Sequence, residues 1–116
     1  MKIDDFLATL RNTPESVQFE DTMAVIAANY QFTPTAFSNG DLQNAPDQNQ
    51  GSCKLLAFAK LQQLSPEATL ACFGKYYRED VLQNPEGNDH QNIRNFMTTG
   101  WEGVSFEGEP LAANQT

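Results

Sequence analysis

Gly51-Ser52-Cys53-Lys54-Leu55-Leu56-Ala57-Phe58-Ala59-Lys60-Leu61 is the stretch that decides the fold. Its apolar residues occupy more than one helical face, which is the pattern of a helix covered from several sides. The rest of the chain must therefore wrap around it. Ser52 reads as its N-cap. Downstream, Ser65-Pro66-Glu67 restarts a helix with a cap, a proline at the first position and an acid beside it. Leu70, Phe73, Tyr77 and Val81 continue one stripe, so that helix is expected to run to about Leu82. After the loop at 84–88, a last helix should start at Asp89 as cap and pass through Ile93, Phe96 and Met97. Gly100 suits its left-handed stop.

Upstream, Ile3, Phe6, Leu7 and Leu10 fall on one face of a helix over residues 3–11, ended by Thr13-Pro14. Phe19, Met23, Ile26 and Tyr30 suggest a second helix, with Glu20 and Asp21 in its first turn, where they complement the dipole. Phe32 to Gly40 is rich in Thr and Phe and closes on Asn39-Gly40, the mark of an extended piece reaching a turn. Gly103 to Gly108 alternates weakly and could pair with Thr33 to Phe37. Residues 41–50 are polar with little to bury, a long connection for an ordered domain. The chain thus reads as mainly α: a single domain over residues 1–116, about five helices with a small two-stranded β ribbon, and residues 111–116 frayed.

The 116 residues carry seven Lys and Arg against fifteen Asp and Glu, a formal charge of -8. Such a chain repels a phosphate backbone, and nucleic acid is not an expected partner. The longest nearly apolar run, Leu55 to Ala59, is far below the roughly 18 to 20 residues of a bilayer crossing, so no membrane partner is expected either. Cys53 and Cys72 read as free thiols of a cytosolic domain, and one His90 with no Cys-x-x-Cys pair leaves no metal site. No motif calls for a cofactor, and the expected state is a monomer.

Two polar helix starts remain as candidate chemistry. Gly51-Ser52-Cys53-Lys54 puts a thiol and an ammonium where unpaired N–H groups and the helix dipole favour an anion. That position could make Cys53 partly thiolate, although a small apolar filler beside a cap is the stronger reading. Asp89-His90-Gln91-Asn92-Ile93-Arg94 places His90 and Arg94 at i and i+4, a face that could hold a carboxylate or phosphate. The aromatics Phe32, Phe37, Tyr76, Tyr77 and Trp101 read as core.

Four runs carry a resemblance: Phe32-Thr33-Pro34-Thr35-Ala36-Phe37-x-Asn39-Gly40, Asn49-Gln50-Gly51-Ser52-Cys53-Lys54, Cys72-Phe73-Gly74-x-Tyr76-Tyr77-Arg78, and His90-x-Asn92-Ile93-Arg94-x-Phe96-Met97-x-x-Gly100-Trp101. Together they resemble the HopJ type III effector family over nearly the whole chain. The resemblance implies kinship with proteins of plant-pathogenic bacteria assigned as type III secreted effectors, and carries over no catalytic residue. The N-terminus departs from an effector leader, which is typically rich in Ser and poor in acids. Asp4 and Asp5 stand there, no Ser precedes Ser16, and only Ile3 fits. Residence in the bacterial cytoplasm is expected, with secretion and action on a host protein as the alternative. The expected function is a small-anion or partner-segment binding module using Asn39, Asn49, Ser52, Cys53, Lys54, His90, Asn92 and Arg94. An enzyme with Cys53 as nucleophile and His90 as base is the competing expectation.

Overall fold

In a computed structural model, which describes residues 2–113, the expected central helix is α3, Gln50–Leu61. Leu55, Leu56, Phe58 and Ala59 along it are fully buried, as its two-sided apolar pattern requires. Around it pack α1 (Ile3–Asn12) and α2 (Phe19–Asn29), whose apolar stripes are the ones the sequence displays. Phe6 of α1 meets Phe58 edge-on at 5.8 Å, and Tyr30 reaches the same ring at 6.0 Å. The Asp21 carboxylate accepts the Gln18 N–H at 3.0 Å and fixes the start of α2.

Strand content exceeds the single ribbon of the sequence reading, and the architecture is mixed α/β rather than purely helical. β1 (Tyr30–Phe32) follows α2 directly. It is paired antiparallel with β5 (Leu111–Ala113), so 111–113 is a strand and not a frayed end; residues 114–116 of that expectation lie outside the described residues. A second sheet has the order β3-β2-β4, from β2 (Phe37–Asn39), β3 (Leu42–Asn44) and β4 (Val104–Phe106). Its pairs are Phe37 with Phe106, Ser38 with Ser105 and Asn39 with Val104. The expected ribbon partner on the C-terminal side is therefore right, but pairing starts at Phe37 rather than Thr33. Pro34 has no N–H to give a ladder there. Gly40, at φ 64°, turns β2 into β3, and part of the expected polar loop thereby becomes strand.

The helix expected over 65–82 is broken. Ser65 caps α4 (Pro66–Ala71) by accepting the Ala68 N–H, as its sequence implies. Gly74 then takes φ 63°, and a π-helical segment, Tyr76–Val81, follows. A Cβ on Gly74 would stand 2.7 Å from the Phe19 backbone nitrogen, so the chain needs glycine to bring this turn against the start of α2. The last helix, α5 (Gln91–Thr99), ends at Gly100, φ 59°, where its glycine was expected to stop it.

Both expected caps of the candidate sites move by one position or more. The N-cap of α3 is Asn49, not Ser52, and that of α5 is His90, not Asp89. Each sits in the left-handed region, Asn49 at φ 51° and ψ 44° and His90 at φ 50° and ψ 50°. Neither side chain caps its own helix; Asn49 Nδ2 instead donates to Asn44 Oδ1 at 2.7 Å.

Candidate functional site

The two left-handed turns deliver the starts of α3 and α5 to one cleft. Asn49, Gly51 and Ser52 line it from α3, and His90, Gln91, Asn92 and Ile93 from α5. Phe19, Leu42, Phe73 and Tyr76 complete the wall around about 550 Å³. The first turn of each helix carries backbone N–H groups without intrahelical partners, and the two dipoles put partial positive charge at the same opening. Gly51 admits Phe19 closely: a Cβ there would stand 2.9 Å from the ring's Cζ.

Asparagines hold the two starts together from behind. Asn39 Nδ2 donates to the Asn92 carbonyl at 2.8 Å and to Asn92 Oδ1 at 3.0 Å. Asn92 Nδ2 donates to Asn44 Oδ1 at 3.2 Å, which also accepts from Asn49. Asn95 Nδ2 adds a bond to the Asn39 carbonyl at 2.9 Å. Asn39, Asn44 and Asn92 are buried, so these amides fix the relative placement of β2, β3 and α5.

The π-helical segment supplies the far wall. Tyr76 and Asp80 both reach His90: the rings lie 5.4 Å apart, and Asp80 Oδ2 is 3.1 Å from His90 Nε2. Tyr76 also meets Phe19 edge-on at 5.4 Å.

The other sequence candidates fall elsewhere. Cys53 is buried, its thiol 3.6 Å from the Thr35 carbonyl, and burial pushes it up to about 11. Loss of hydration at a buried sulfur outweighs the favourable helix end, which accords with the stronger reading of Cys53 as a buried filler rather than a thiolate. Lys54 Nζ lies 4.9 Å over the Phe32 ring, away from the cleft lining. Arg94 donates to Asp89 Oδ1 and the Asp89 carbonyl, each at 2.6 Å, and to the Asn84 carbonyl at 2.9 Å. It fastens loop 84–89 and holds the Asp89 carboxyl below its usual range. The i, i+4 pairing of His90 with Arg94 is not realised, because His90 stands outside the helix in a left-handed conformation.

The aromatic wall, Asp80 and Asn44 were not expected at the site. Phe73, from its stripe, and Tyr76, as one of the aromatics, read as core; Phe73 is buried there and Tyr76 packs against that core, and both also face the cleft. Among the described residues no group of three or more acids, cysteines or histidines is arranged for a metal, and no helix is long and apolar enough to cross a membrane.

A family model described as HopJ type III effector protein matches residues 3–111. The chain is also similar to the crystal structure of a protein of unknown function, VPA0580. The identity is 60%, the TM-score 0.97, and the match covers 98% of this chain and 95% of that one. No curated protein matches the sequence.

Proposed function

The chain belongs to the HopJ type III effector family, and from that premise we propose that it is a binding module whose cleft holds a small organic anion with an apolar body. The observation that carries this reading is the convergence of two uncapped helix starts on one aromatic-walled cleft. Unpaired N–H groups of Gly51, Ser52, Gln91 and Asn92 suit a carboxylate or a single phosphate ester. Phe19, Phe73, Tyr76 and Ile93 suit an aromatic or aliphatic body. A net charge of -8 disfavours polyanions, which narrows the class to ligands of low charge. The site of action in this reading is the bacterial cytoplasm: Phe6 and Leu10 of α1 are core residues, so export requires unfolding the whole domain.

Thermal unfolding with phenylacetate, hexanoate, inorganic phosphate and neutral phenylacetamide tests the proposal. The organic carboxylates should raise Tm, reaching about 2.7 kcal/mol of stabilisation at about 100 times Kd. Ser52→Ala and His90→Ala should reduce the rise without loss of fold. Equal shifts with phenylacetamide would remove the anion from the account, and the absence of any shift would remove the class.

A further inference from the structure

The opposite end of α3 borders a second hollow, one whose walls are sheet edges. A groove of about 780 Å³ is lined by Ala57, Lys60 and Leu61 of α3 and by all of β4 and β5. β4 is the edge of its sheet, and β5 has β1 as its one partner among the described residues.

The ladder bonds show which backbone groups face outward. Gly103 accepts the Gly40 N–H at 2.9 Å, and Glu107 donates to the Ala36 carbonyl at 3.0 Å. Alternation along β4 then turns the N–H and C=O of Phe106, and the C=O of Val104, away from β2. On β5, Pro110 accepts the Thr33 N–H at 2.8 Å, with Leu111 opposite Phe32. The same alternation turns the backbone groups of Leu111 and Ala113 away from β1. Two sets of unpaired strand groups thus border one groove, floored by apolar side chains including Leu61, 55% exposed.

We propose that this groove takes an extended, basic segment of a partner protein, which adds as a strand to the open edges of β4 and β5. Charge selects the occupant. Glu109 lines the groove, Glu102 and Glu107 are exposed on the chain just before and after β4, and Lys60, the one basic residue of the lining, is turned onto the Phe106 ring, 5.7 Å from its centroid. Two copies of this chain, at -8 each, repel, whereas a segment with Lys or Arg flanking β-branched residues meets opposite charge. Backbone bonds supply register, and the apolar floor takes every second side chain.

The test uses a blocked pentapeptide, Lys-Val-Thr-Val-Arg, titrated into the full chain while amide shifts are recorded. Phe106, Leu111 and Ala113 should move, and those of the α3–α5 cleft should not. Backbone N-methylation of the peptide, or replacement of both its basic residues by Glu, should weaken binding by about tenfold or more. Ala113→Pro removes one outward N–H and spares the pairing with β1. It should cause a similar loss with an unchanged unfolding midpoint. Equal binding of the acidic or N-methylated peptide would overturn the proposal. So would shifts confined to the cleft, no response at all, or shifts at these amides that follow protein concentration alone, which would mark a second copy as the occupant.

Discussion

Inside the core, the Cys53 thiol points at the Thr35 carbonyl, and Cys72, also fully buried, is pushed up to about 12. Both thiols should resist a thiol-reactive dye in the native state near neutral pH and react on unfolding; rapid native labelling of Cys53 would revive the nucleophile. The sign of the pH dependence follows. Below the ordinary value of 9.0 both states keep the proton, so the stability contribution is fully present. As pH rises from 9.0 toward about 11, the unfolded chain releases protons that folded Cys53 retains, and stability falls. Urea unfolding at stepped alkaline pH, compared with Cys53→Ala, isolates that contribution. At the cleft, Asn92→Ala removes the side-chain oxygen that accepts from Asn39 and Asn44 and the amide that donates to Asn44, while Asn39 keeps the backbone carbonyl of residue 92 and Asn44 keeps Phe37 and Asn49. It should cost about 2 kcal/mol in the same assay. His90→Gly removes a left-handed side chain, so stability should hold or rise by about 1 kcal/mol. Ligand-induced stabilisation should nonetheless diminish, which separates a residue kept for binding from one kept for folding. The sequence displayed Asn49, Ser52, His90 and Asn92 as candidates through their helix-start context. It did not display the left-handed caps at Asn49 and His90, because the preference of Asn and His for that region is too weak to mark one position among the many they occupy.

Elements whose pattern repeats over several turns were legible: α1, α2, α3 and α5 follow the spacing of their apolar residues. Three-residue strands were harder, since β1, β3 and β5 are too short for alternation to register. The break after α4 was hidden for a different reason. Leu70, Phe73, Tyr77 and Val81 keep a helical spacing across Gly74, although the glycine adopts φ 63° and the turn beyond it widens. That interruption is what swings Tyr76 and Asp80 toward His90. Gly74→Ala should cost about 3 kcal/mol or more, because conformational strain adds to a collision with the Phe19 backbone. Gly100→Ala meets nothing within 4 Å and should cost about 1–2 kcal/mol from strain alone. Equal losses in urea unfolding would show that the α2 contact does not restrict position 74.

One core among the described residues joins α1 to α5 and both sheets, and α3 lies through its middle. Phe6→Ala should therefore destabilise the entire chain by about 3–5 kcal/mol in a single cooperative transition, rather than loosen α1 alone. α3 also spans the two candidate surfaces, its first turn in the anion cleft and its last in the strand groove. Composition foretold the acidic character and argued against nucleic acid, but no periodic signal could foretell that residues 49–52 and 90–93 meet. That meeting depends on the asparagine contacts between residues about fifty positions apart. Amide shifts during titration with phenylacetate report on whether the two helix starts form one site. Gly51 and Ser52 of α3 should move together with Gln91 and Asn92 of α5 on one saturation curve, with phenylacetamide far weaker. Movement of one helix start without the other, or two curves with different midpoints, would contradict a single site.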